Sequence, residues 1–229
     1  MRPDEVQELC ERGQEQLMAM DYLRARQTLE SAEAAAWDLR DWDTLARLYM
    51  PLQEVHRQIR QTCGEGMVVL DLWAASPGER IDAEEILKKY PQGQLLMAGW
   101  ESIEPALAVR RLARQRSLYV ETFLAWSHAT EQGVSIVMAP TADASAYPLP
   151  EYKAEEIPKG ARKGNSQTYA LVMGWWENLH RPFLEAADKE NDPVAKMEKY
   201  RKTIEVDYAC ELAHQKLADA ARELARVAR

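Results

Sequence analysis

The sequence predicts a mixed α+β fold, mostly helical, in which TPR-like helical hairpins accompany a small β-α-β-α-β-β sheet unit. Three observations carry this. Apolar residues recur at a period near 3.6 through residues 4–62 and again from about 167 to 227. Between those stretches, short runs rich in Val, Leu and Trp alternate with amphipathic segments and are bounded by glycine and proline. Hydrophobic residues make up 46% of the 229 positions and charged residues 29%, which supplies a core and excludes a collagen-like or disordered chain.

The first helix, about 4–19, aligns Val6, Leu9, Cys10, Gly13, Leu17 and Met20 on one stripe. After a turn at Asp21, a second helix over 22–38 turns Leu23, Ala25, Leu29, Ala32 and Ala36 inward. Asp41 or Asp43 caps a third, carrying Leu45, Leu48, Leu52, Val55 and Ile59, which Pro51 should kink or restart and Gly64 should end.

Gly13, Tyr22, Ala25, Leu29 and Ala32 stand at the spacing Gly-x8-Tyr-x2-Ala-x3-Leu-x2-Ala, with an echo in Tyr200, Ile204, Ala213, Leu217 and Ala218. This pattern resembles a tetratricopeptide-repeat hairpin, in which small residues let antiparallel helices approach and larger ones fill the gap between hairpins. The resemblance implies stacked helices presenting a surface to a protein or peptide partner. Residues 1–65 hold neither lysine nor asparagine, so the Lys/Asn clamp by which some repeat proteins hold a carboxyl terminus is not visible.

The middle reads differently. Gly66–Trp73 is a first strand, and a short helix follows at 83–90, capped by Asp82 with Glu85 three residues on. Pro91-Gln92-Gly93 breaks it. A second strand spans Gln94–Trp100, a helix 103–117, a third strand Tyr119–Trp126 and a fourth Gly133–Met138, the last two joined by a six-residue turn. This order predicts parallel neighbours and one antiparallel edge. Residues 141–165, with Pro148, Pro150, Pro158, Gly160 and Gly164, read as a long loop. Helices return at 167–189, kinked at Pro182, then at 194–206 and 209–227. The divisions are thus a helical region 1–65, a sheet unit 66–140, the loop 141–165 and a helical region 166–229 expected to associate with 1–65.

The formal charge is −8, and residues 1–65 are the most acidic part, with 8 basic and 13 acidic side chains. No segment is net basic, which disfavours general nucleic-acid or anionic-membrane binding. No apolar run approaches the roughly 18–20 residues of a membrane helix, and the start of the chain reads as charged and amphipathic rather than as a secretory signal. Cys10, Cys63 and Cys210 are odd in number and far apart, which fits a reducing, cytoplasmic setting; Cys10 and Cys210 read as small buried hydrophobes. His56, His128, His180 and His214 lack metal-ligand spacing, so no metal and no cofactor is expected.

Four features could carry function. Asp71 and Trp73, Trp100 and Glu101, and Trp126, Ser127 and His128 end the three expected parallel strands, where ligands gather in open α/β sheets. Arg110 and Arg114 lie one turn apart and could grip an anion; Lys159, Arg162 and Lys163 cluster in the loop. Gly64-Glu65-Gly66 precedes a strand instead of following one, so it is a helix stop and not a phosphate loop. Glu8, Glu11 and Glu15 on the acidic first helix favour a basic partner. No signature of a nucleotide hydrolase or serine hydrolase occurs. The leading expectation is a non-catalytic interaction protein, an adaptor or scaffold, with no catalytic residue assigned. The alternative is a small-molecule or anion-binding α/β unit with a tryptophan-framed pocket, and association into a homo-oligomer is a third.

Overall fold

A computed structural model describes residues 2–141, 149–163 and 166–227; Pro148 and Gly164 of the expected loop lie outside them. In chain order the described elements are α1 (Pro3–Met18), α2 (Tyr22–Asp38), α3 (Trp42–Gly64), β1 (Met67–Trp73), α4 (Ala83–Lys89), β2 (Gly93–Trp100), α5 (Glu104–Gln115), β3 (Val120–Thr130), β4 (Gly133–Ala139), β5 (Glu151–Lys153), β6 (Arg162–Lys163), α6 (Ser166–Asp188), α7 (Pro193–Val206) and α8 (Glu211–Val227). The chain is mixed α and β and mostly helical. Among the described residues no helix is long and apolar enough to cross a membrane. Two compact units form, one from Met1–Ile59 with His180–Arg229 and the other from Arg60–Leu179.

In the helical unit, the small residues sit where helices meet. A Cβ on Gly13 would lie 2.4 Å from Leu29 Cδ2, and Ala25, Ala32, Ala213 and Leu217 are wholly buried. Asp41 is the cap of α3, its carboxylate accepting from the Thr44 N–H at 3.0 Å. The helix then runs through Pro51 without restarting, with Leu45, Leu48, Leu52, Val55 and Ile59 all buried. Met20 departs from the expected stripe. It is 70% exposed, because it takes a left-handed φ of 60° after α1, where the Asp21 N–H reaches back to the Gln16 carbonyl at 2.9 Å.

In the sheet unit the strand order is β5-β4-β3-β2-β1-β6. β1, β2 and β3 are parallel neighbours, and β4 runs antiparallel to β3. One face (Val69, Leu95, Met97 and Leu124) packs on Leu87 of α4 and on Ala106, Val109 and Ala113 of α5. The other face holds Phe123 stacked on Trp176 at 4.3 Å and edge-on to Trp175 at 5.4 Å. A polar group is set into that face: Arg60 Nε donates to Glu121 Oε1 at 3.0 Å, Gln94 Nε2 donates to Glu121 Oε2 at 2.7 Å, and the Arg60 guanidinium lies 4.7 Å from the Trp176 ring centre.

Two expectations are corrected. The third strand does not end at Trp126 but continues to Thr130, pairing with β4 down to Thr130↔Gly133. Only Glu131 and Gln132 remain in the turn, a two-residue hairpin for which Gly133 supplies a φ of +121°. The expected loop also contains strand: β5 extends the sheet beside β4, and β6 pairs Arg162 and Lys163 with Val68 and Met67 of β1. Unsatisfied sheet edges recruit even short extended segments.

Candidate functional site

The tryptophan set is not gathered into one pocket. Side chains alternate across a strand, and the register pairs Gly99 with Trp126 but Trp100 with Ser127. Trp126 therefore joins the face covered by α4 and α5, where it packs on the apolar cluster, while Trp100 and Trp73 belong to the opposite face. The strand order gives the deeper reason. β1, β2 and β3 follow one another without reversal and their crossover helices cover one face, so among the described residues the strand order has no switch point. Ser127, buried within β3, donates from Oγ to the Ala74 carbonyl at 2.6 Å and closes that end.

Of the remaining sequence candidates, some are engaged locally and others are exposed. Asp71 Oδ2 accepts from the Gly160 N–H at 2.9 Å, and Lys159 Nζ lies 5.1 Å from the Trp73 ring centre. Glu101 is exposed at a left-handed φ of 50°. His128 Nε2 is 3.1 Å from Glu151 Oε1. Arg110 Nε donates to Thr122 Oγ1 at 3.2 Å, whereas Arg114 is exposed. Arg111 and Arg116 pair with Glu104 and Glu84. Glu8, Glu11 and Glu15 are exposed on α1, with Glu11 accepting from Gln7 Nε2 at 2.8 Å.

Geometry draws attention instead to the helical unit, where the turn between α7 and α8 touches three histidines. Asp207 Oδ2 lies 2.6 Å from His180 Nδ1, the Tyr208 ring stands edge-on to His56 at 5.3 Å, and the Cys210 carbonyl accepts from His214 Nδ1 at 2.9 Å. α7 ends here because Asp207 adopts an extended φ of −136°; its backbone carbonyl then accepts from the Cys210 N–H at 3.0 Å, setting the turn.

His56 and His214 line a pocket of about 130 Å³ together with Glu30, Glu33, Tyr49, Leu52, Arg201, Ile204 and Glu205. Arg201 Nε donates to Glu33 Oε1 at 2.8 Å, and the same carboxylate oxygen accepts from Tyr49 Oη at 3.0 Å. Burial, then that carboxylate, push the Tyr49 phenol well above its ordinary range, so it stays a donor. Lys202 reaches Glu205 Oε2 at 3.1 Å on the exposed rim.

The histidine tautomers follow from their partners. His214 Nδ1 faces a carbonyl and so carries a proton. Burial first, then the neighbouring His56, lower the His214 pKa to about 3, so its Nε2 keeps a lone pair. His56 Nδ1, 3.1 Å from that lone pair, must be the donor. His56 Nε2 lies 3.5 Å from Glu30 Oε1 at the pocket wall.

The His214 shift has a consequence for stability. The unfolded chain binds a proton at this residue below about pH 6.5, whereas the folded chain does so only near pH 3. Between those values acid favours unfolding. A His214→Asn variant, which cannot titrate, is expected to be less stable than the parent at pH 7.5, with the gap narrowing by about 2 kcal/mol at pH 5. Urea denaturation at the two pH values measures this, and a gap independent of pH would contradict the assignment.

His180, Asp207 and Cys210 form a second cluster, with a ligating atom from each lying within 4.8 Å of the others. Asp207 and Cys210 are buried and the His180 side chain is 15% exposed. Burial by itself would lower the His180 pKa, but hydrogen bonds to Asp207 and Cys210 outweigh it and raise the value to about 9. Sequence reasoning missed both clusters. Its only local signals were the i,i+3 spacing of Asp207 and Cys210 and the i,i+4 spacing of Cys210 and His214, while His56 and His214 stand 158 residues apart. No protein-family model matches the chain, and no curated protein or solved structure matches it significantly.

Proposed function

We propose that the helical unit is a non-catalytic docking module for a basic protein or peptide partner, one of whose lysine or arginine side chains enters the Glu30–His56–Arg201 pocket. The observation that carries this reading is the pocket's composition: three carboxylates against one guanidinium, Glu30 lying at the wall 3.5 Å from His56 Nε2. Size supports it. At about 130 Å³ the pocket is well below the roughly 300–1,000 Å³ that drug-sized ligands occupy, yet it admits one aliphatic stem along Leu52 and Ile204 with its charged tip at Glu30. The exposed Glu8, Glu11 and Glu15 belong to the same unit and add to the negative field that draws a basic segment in. A single charged anchor of this kind belongs to weak, transient recognition, on the order of micromolar.

The test uses two fluorescent peptides that differ only in a central arginine or norleucine. The arginine peptide is expected to bind, more weakly as salt rises, and Glu30→Lys should weaken it about ten-fold or more. Equal binding of the norleucine peptide, or an unchanged affinity in Glu30→Lys, would overturn the proposal.

A further inference from the structure

We infer that His180, Asp207 and Cys210 form a binding site for a divalent d-block cation, zinc being the best match. Three kinds of donor converge there, an imidazole nitrogen, a carboxylate oxygen and a thiol sulfur, each within 4.8 Å of the others. Hard cations such as magnesium and calcium select oxygen ligands. A sulfur and a nitrogen in the same small set select zinc or its neighbours.

Bond lengths of about 2.0–2.3 Å place the donors of a tetrahedral zinc site roughly 3.3–3.7 Å apart, so the observed cluster needs adjustments of about an ångström. The His180–Asp207 contact of 2.6 Å opens, and the cation takes the place of the proton held there and of the thiol proton, both passing to solvent.

The backbone readies this arrangement. Asp207 and Cys210 stand at the two ends of one tight turn, with the Cys210 N–H bonded to the Asp207 carbonyl at 3.0 Å and Asp207 Oδ1 accepting from the Ala209 N–H at 3.3 Å. That second bond fixes the carboxylate as outer-shell partners do in metal sites. Asp207 is 2% exposed and Cys210 5%, so both donors are held out of bulk water. Solvent reaches the cluster on the His180 side, 15% exposed, where a water can complete the fourth position. Bound there, the cation would tie α6 to the α7–α8 turn. The site does not depend on the peptide-docking reading.

Cobalt(II) is the probe, since a thiolate-bound cobalt ion gives a near-ultraviolet charge-transfer band. The purified, metal-stripped full chain is expected to develop that band with one equivalent of cobalt and to lose it when zinc is added. Cys210→Ser should abolish the band, while Cys10→Ser and Cys63→Ser keep it. Asp207→Asn, which retains the turn's size, should weaken cobalt binding by at least the ~10–100-fold that outer-shell partners cost. It decides the matter should Cys210→Ser fail to fold. Absence of the band in the parent, its survival in Cys210→Ser, or unchanged affinity in Asp207→Asn would each overturn the inference.

Discussion

Arg60→Met is expected to destabilise the sheet unit by about 3–5 kcal/mol, because it strands a carboxylate in an apolar interior. Arg60 is 5% exposed and Glu121 likewise 5%, with their charged atoms 3.0 Å apart. Gln94 satisfies the other Glu121 oxygen at 2.7 Å but brings no charge. Methionine keeps the stem volume and the contact with Trp176, so the loss isolates the ion pair from packing. The double variant Arg60→Met/Glu121→Leu should recover part of the stability, since two apolar groups need no counter-charge, while the buried Gln94 amide loses its acceptor. Urea denaturation followed by tryptophan fluorescence reads this unit selectively, as five of the seven tryptophans lie in it. A loss under about 1 kcal/mol in the single variant, or no recovery in the double, would contradict the assignment.

Gly93→Ala should be at least as damaging. Gly93 opens β2 at a φ of +149°, and an added Cβ would fall 2.0 Å from the Met67 carbonyl oxygen. The obstruction is backbone, held by the β1–β2 ladder in which Met67 and Gly93 are partners, so no side chain can swing aside. Separation of the two strands is the only relief, and the expected cost exceeds about 4 kcal/mol. Gly78 provides the control. It too has a positive φ, +85°, but nothing lies within 4 Å of its added Cβ, so Gly78→Ala should cost only the 1–2 kcal/mol or so of a left-handed alanine. Similar melting temperatures for the two variants would show that the β1–β2 contact yields.

Most of the element order is visible in the sequence because it rests on local physics. Apolar spacing of 3.6 fixes α1, α2 and α8, Asp82 marks the start of α4 through its bonds to the Glu84 and Glu85 amides, and Gly64 ends α3. Gly93 is recognisable as a breaker, though not as the residue on which the β1–β2 contact turns. Where expectation failed, the deciding interaction was remote. β6 exists because β1 has an open edge, and β3 outruns Trp126 because β4 returns beside it.

The two histidine clusters follow the same division. Charge, composition and hairpin spacing turn attention to an acidic helical surface and a basic partner, and they carry no sign of a pocket. Local patterning set the helices, the inner strands and their apolar faces, because those depend on residues within a turn or two of each other. Folding alone brings Cys210, a small hydrophobe by its apolar neighbours, into a polar corner with Asp207 and His180, and sets His56 against His214. His214 stands on α8 itself, but His56 on α3 and His180 on α6 are brought to the α7–α8 turn from elsewhere in the chain, and no local pattern encodes which turn a distant side chain will reach.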